Sequence, residues 1–144
     1  MKIKEFNRNH ALRVMTWCKR NIGLNRRKHY LPLLEWHSVG DDCGDYDFED
    51  NIISVYKNQH KSVLEIIHTI IHEWCHYKQS KKKYYEMDEK FGYNKNPLEI
   101  EADNLANKFK YKCRKDLFFN SIVTSDKMNK NKGITLPNPG KVKL

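Results

Sequence analysis

The stretch Ser62-Val63-Leu64-Glu65-Ile66-Ile67-His68-Thr69-Ile70-Ile71-His72-Glu73-Trp74-Cys75-His76-Tyr77-Lys78-Gln79-Ser80 decides how this chain is read. Ser62 with Glu65 three residues on fits a capping box, in which each side chain satisfies the other residue's orphan backbone donor, so a helix starts here and runs to about Ser80. Val63, Leu64, Ile66, Ile67, Ile70, Ile71, Trp74 and Cys75 cover most of its circumference, which predicts a largely buried helix. One narrow stripe is polar: Glu65, His68, Thr69, His72, Glu73 and His76. Burying two imidazoles and a carboxylate without partners costs several kcal/mol. Something must compensate them, and a metal ion does so well.

The stripe contains His72-Glu73-Trp74-Cys75-His76, which is HExxH. Residues four apart sit one above the other on a helix, so two imidazoles converge on one ion. The Glu beside the first His then points to the ion's open side, where it can take a proton from metal-bound water. A satisfied core pair is the plain alternative. Zinc needs a third protein ligand, and Pro97-Leu98-Glu99-Ile100-Glu101-Ala102-Asp103 follows on the next helix. Glu99 and Asp103 share one face while Leu98, Ala102 and Leu105 point to the core. That suits Glu99 as ligand and Asp103 as acceptor for the distal nitrogen of a ligand His, foremost His72. Two alternatives stay open: Glu101 is the ligand, or Glu99, three residues after Asn96, is only a capping Glu.

Outward from this centre, Asn9 to Ile22 places Ala11, Leu12, Met15, Cys18 and Ile22 at helical spacing, and Gly23 stops the helix. Asn25 to His29 is a basic connector. Tyr30 to Val39 suits a strand entered through Pro32, and Ile52, Ile53, Val55 and Tyr56, bounded by Asn51 and Asn58, suit another. A short strand through Tyr46 and Phe48 pairs with it as a hairpin. Asn96-Pro97 opens the last helix, with Pro where its missing donor is harmless, and Leu98, Ala102, Leu105, Ala106, Phe109 and Cys113 carry it toward Phe118. From about Ser121 the chain turns polar and Lys-rich. The expectation is one α+β domain over residues 1–120 and a basic polar tail over 121–144.

The 144 residues carry 27 Lys plus Arg against 18 Asp plus Glu, a net charge of +9, with 39% hydrophobic content and a mean hydropathy of −0.86. Nothing approaches the roughly 20 apolar residues of a membrane helix, so no membrane partner is expected. The amino terminus has no apolar signal region. Cys18, Cys43, Cys75 and Cys113 lie far apart with no CxxC pair, which reads as reduced thiols in a cytoplasmic protein and gives a Cys-based zinc site no support. His68 reads as a hydrogen-bonded core residue and Cys75 as core. The acidic run Asp41 to Asp50 lacks EF-hand spacing and reads as a solvated hairpin turn. Arg26-Arg27-Lys28, Lys81-Lys82-Lys83 and the tail are basic clusters that imply at most weak, nonspecific nucleic-acid contact.

His72-Glu73-x-x-His76 with Glu99-x-x-Ala102-Asp103 resembles the gluzincin signature, HExxH plus a downstream ExxAD, of thermolysin-like zincins. The small size and the run through Gln79 are similar to the minimal SprT-like and ImmA/IrrE-like metallopeptidases of phages and bacteria. The likeness covers about Asn51 to Phe109 and is strong only at the two motifs. SprT proteins use a third His after the helix, whereas none of the seven His here lies beyond His76, which favours a Glu-type ligand.

The resemblance implies a minimal zincin: an N-terminal helix, a short and mostly antiparallel sheet, the HExxH helix and a second ligand-bearing helix. It implies Zn2+ on His72, His76 and Glu99, Glu73 as the base that activates water, and cleavage of a protein or peptide substrate in the cytoplasm. A Tyr or His would stabilise the oxyanion, with Tyr84, Tyr85, Tyr93 and His60 as candidates. By analogy the strand Asn51 to Asn58 is the substrate-binding edge. The rival expectation is a weakly active or non-catalytic zinc-binding regulatory or virion-associated module whose basic tail touches nucleic acid.

Overall fold

A computed structural model describes residues 1–28 and 30–119 of the chain. The tail expected over 121–144, and His29 of the basic connector, lie outside the described residues. The fold is α+β. Helix α1 (Arg8–Asn21) is followed by strands β1 (Leu33–His37), β2 (Gly44–Asp47) and β3 (Ile52–Tyr56). Then come helices α2 (Val63–Lys78), α3 (Lys81–Phe91) and α4 (Pro97–Arg114), and a π-helical turn, Lys115–Phe119.

Each helix start has a chemical cause. Asn7 caps α1 by accepting from the amides of Asn9 and His10. Asn96 caps α4 by accepting from Leu98 N, with Pro97 at the first helical position. Ser62 caps α2 by accepting from Glu65 N at 3.2 Å, but the reciprocal half of the expected box is shifted. Glu65 Oε1 accepts from Lys61 N at 2.8 Å rather than from Ser62. At Gly23, φ of +103° ends α1 in a conformation that only glycine adopts freely. Gly23 O then accepts from Trp74 Nε1 at 2.9 Å, which ties the end of α1 to α2.

The sheet differs from the expected mostly antiparallel arrangement. Its order is β1-β3-β2, with β1 parallel and β2 antiparallel to β3. The reason is burial: Ile53 and Val55 of β3 are fully buried, so the most apolar strand takes the doubly paired centre. Asn51, at φ 58°, closes the β2–β3 turn, and its side-chain amide donates to the carbonyls of Tyr30 and Leu31, which steers β1 onto the far side of β3. It follows that Asn51 to Asn58 is not an edge strand. The edge that meets α2 is β2.

Ile66, Ile67, Ile70, Ile71 and Trp74 of α2 are buried against the sheet and α1, as the periodicity predicts. Leu34, Trp36, Tyr46, Ile53 and Val55 face this core, while Glu35, His37, Asp45 and Asp47 alternate outward. Gly44 is where β2 crosses α2. A Cβ there would lie 2.6 Å from Thr69 Cγ2, 2.7 Å from Ser54 O and 3.7 Å from Glu73 Cγ, so glycine allows the strand to lie directly on the motif helix.

Helix α3 was not expected from the sequence. Its apolar positions, Tyr84, Met87 and Phe91, form a short stripe among charged residues and none of its residues is buried, and Ser80 starts it by accepting from Lys83 N. Its anchor is Tyr84, whose carbonyl accepts from the fully buried Asn96 side chain at 3.2 Å. Asn96 thus joins α3 to the start of α4. Among the described residues no helix is long and apolar enough to cross a membrane.

Candidate metal centre

Helices α2 and α4 run antiparallel and face each other along the polar stripe. Three donor atoms meet there. His72 Nε2 lies 2.9 Å from Glu99 Oε1, His76 Nε2 lies 3.2 Å from the same oxygen, and the two Nε2 atoms are 3.2 Å apart. Ligands of a tetrahedral zinc ion at about 2.0–2.1 Å stand roughly 3.3 Å from one another. The nearly equilateral triangle therefore has the size of one face of such a site. Without a metal, a proton on one imidazole must hold the nitrogens and the carboxylate together, and a proton sits on one edge of a triangle, not over its centre.

The neighbours fix which atoms point inward. His76 Nδ1 donates to Gln79 Oε1 at 2.6 Å, which turns Nε2 toward Glu99. Gln79 Nε2 in turn donates to Leu98 O at 2.9 Å and to Glu101 Oε1 at 2.8 Å. Glu101 is thereby engaged with Gln79, away from the triangle, whereas Glu99 lies in it and does not cap Asn96. Tyr84 donates its hydroxyl to Glu99 Oε2, and its ring packs edge-on against His76 with centroids 5.3 Å apart.

The electrostatics follow from burial and these contacts. Burial alone would raise the Glu99 carboxyl, but hydrogen bonds with His72, His76 and Tyr84 outweigh it and hold it well below the ordinary carboxylate range. Burial alone would lower His76, yet the Glu99 bond and the charges of Glu73 and Glu99 raise it. Both shifts say that this site favours positive charge beside Glu99. Glu73 is 7% exposed, on the side of α2 that meets β2. Burial pushes its carboxyl up to about 7, with His72 and His76 pulling it down and Glu99 and Asp45 adding to the rise. That places it where a proton can be taken and returned near neutral pH.

Asp103 stands one turn beyond Glu99. Its Oδ1 is 3.6 Å from His72 Nδ1, the distal nitrogen, but only 2.8 Å from His68 Nε2, so its shorter contact is with His68. His68 is partly exposed rather than core, because it reaches across to Asp103 at the rim. Cys75 is buried, and burial pushes its thiol up to about 12, which suits a core residue and not a ligand.

Of the four oxyanion candidates, His60 is turned away, bonded to Tyr56 O and Thr69 Oγ1. Tyr85 packs on Phe48 and Tyr84. Tyr84 is committed to Glu99. Tyr93 is 63% exposed, and burial of its hydroxyl end beside Glu99 and Glu73 pushes it up to about 12. Asp47 Oδ1 accepts from the amides of Glu49 and Asp50, so part of the acidic run is the hairpin turn.

Gln79 is the residue bonded to this cluster that the sequence left without a role. Its signal is its place three residues after His76, at the C-cap just past Lys78, where its side chain can reach back to Nδ1.

Fold and site together define a small α+β protein with a His/Glu cluster between its HExxH helix and α4 that could hold a metal ion. The chain matches no protein-family model, no curated protein and no solved structure.

Proposed function

We propose that this chain is a zinc metalloendopeptidase of the gluzincin kind. The observation that carries the proposal is the triangle of His72 Nε2, His76 Nε2 and Glu99 Oε1, with edges of 2.9, 3.2 and 3.2 Å. Two imidazoles and one carboxylate are the donor set of a catalytic zinc site, which leaves a position for water. Zinc held there supplies a Lewis acid that makes water a nucleophile near neutral pH and polarises a carbonyl.

The remaining steps belong to side chains of this chain. Glu73, poised near neutrality, takes the proton from the attacking water and gives it to the leaving amine. The Tyr93 hydroxyl, half-buried beside Glu99 and Glu73, donates to the developing oxyanion. Gln79 and Tyr84 hold His76 and Glu99 in place. The free edge of β2, lying on α2 at Gly44, takes an extended segment of a protein substrate by strand pairing and leads its scissile bond past Glu73.

The test is zinc content and cleavage of labelled unfolded casein, measured on the full chain and on Glu73→Gln. The expected result is close to one tightly held zinc per chain in both, with cleavage only in the wild type. Equal cleavage by both proteins, or no tightly held zinc in either after supply of the ion, overturns the reading.

A further inference from the structure

The donor pattern repeats. His68, His72 and His76 follow at intervals of four on α2, and Glu99 and Asp103 stand four apart on α4. Because the helices run antiparallel, His76 and His72 meet Glu99, and one turn further on His72 and His68 meet Asp103. His72 belongs to both levels: Nε2 faces Glu99 at 2.9 Å and Nδ1 faces Asp103 at 3.6 Å. His68 Nε2 lies 2.8 Å from the same Asp103 oxygen, and the three donor atoms of this second level all lie within 4.8 Å of one another.

We propose that His68, His72 and Asp103 form a second cation site that shares His72 with the first and takes a divalent ion of the late first transition row. Two imidazoles and a carboxylate select Zn2+, Co2+, Ni2+ or Cu2+ over Mg2+ and Ca2+, which take all-oxygen shells. The 2.8 and 3.6 Å separations straddle the roughly 3.3 Å expected between ligands of a tetrahedral ion, so small side-chain rotations suffice. Asp103 is 57% exposed by its side chain and His68 24%, which leaves the site open to an ion from solvent.

Lys110 is the built-in opponent. Its ammonium, steadied by Asn107 Oδ1 at 3.1 Å, lies 3.5 Å from His68 Nδ1. This charge makes the second site the weaker one, and Lys110→Met should tighten it by roughly threefold.

The proposal depends on the first centre only through the shared His72. Equilibrium dialysis of the full chain against Co2+, with bound metal counted by elemental mass spectrometry, tests it. The wild type should reach two ions per chain, the second more weakly held. His68→Gln and Asp103→Asn, the latter a surface change that leaves packing intact, should each stop at one. Glu99→Gln should lose the tighter ion and keep the other. A wild type that stops at one ion, lost in Glu99→Gln but kept in His68→Gln, overturns this proposal and leaves the first centre standing. One ion lost in His68→Gln but kept in Glu99→Gln does the reverse.

Discussion

His76 Nδ1 donates to Gln79 Oε1 at 2.6 Å, and this one bond determines which face of the second motif histidine meets Glu99. The pair lies at the buried end of α2, where Gln79 also holds Leu98 O and Glu101. The glutamine therefore links the tautomer of a candidate ligand to the start of the helix that carries Glu99.

Replacing Gln79 separates these two jobs. Gln79→Ala should weaken zinc binding about 10- to 100-fold, the usual effect of removing the partner that orients a ligand histidine. It should also cost about 1–3 kcal/mol of stability, because buried groups lose their hydrogen bonds. Gln79→Glu still accepts from His76 Nδ1 but cannot donate to Leu98 O. It should keep most of the zinc affinity and lose stability. Chelator competition and thermal unfolding read the two effects separately.

What was legible in the sequence follows from what each feature depends on. The α2 helix and its HExxH stripe depend on neighbours within four residues, and so do the caps at Ser62 and Asn96. Glu99 was readable because its helix is amphipathic and its spacing from Asp103 marks one face. Helix α3 was not, since Lys81–Phe91 buries no residue and is held through Tyr84 and Asn96. The parallel β1–β3 pairing depends on Asn51 reaching the carbonyls of Tyr30 and Leu31, twenty or more residues away. No local pattern announces such a contact. The attachment of Asp103 to His68 is of the same kind: spacing put it near two histidines, and rotamers made the shorter bond.

The two tyrosines beside Glu99 should behave differently. Tyr84→Phe removes a hydroxyl that donates to Glu99 Oε2, so it should weaken zinc binding by about tenfold. Tyr93→Phe should leave zinc binding in place and lower kcat about 100-fold, as loss of an oxyanion donor does, with little change in KM. A loss of zinc without loss of kcat in Tyr93→Phe would reassign that residue to holding Glu99.

Gly44 tests the contact between the strand and the motif helix. Gly44→Ala forces a Cβ against Thr69 Cγ2 and Ser54 O, and the backbone carbonyl cannot rotate away. Overpacking of this kind costs about 1–3 kcal/mol. Thermal unfolding should start several degrees lower, while Asp45→Ala on the outward face of the same strand should shift it far less. Because β2 also borders Glu73, Gly44→Ala should slow cleavage at temperatures where the protein is still folded.

Glu73 makes stability and pH depend on each other in a direction set by its burial. Its carboxyl is raised from 4.5 to about 7 in the fold, so between these values the folded chain holds a proton that the unfolded chain has released. Stability of the metal-free protein therefore falls as pH rises from about 4.5 to about 7, and the cost is fully present above that range. A rise of this size corresponds to about 3 kcal/mol. Glu73→Gln removes the titration without emptying the space. The metal-free variant should therefore be more stable than the wild type at pH 8, and the gap should close toward pH 4.5, as followed by urea unfolding at a series of pH values. A gap that stays constant with pH would mean that the Glu73 carboxyl is ionised in the fold throughout, and that it is not the base poised near neutrality.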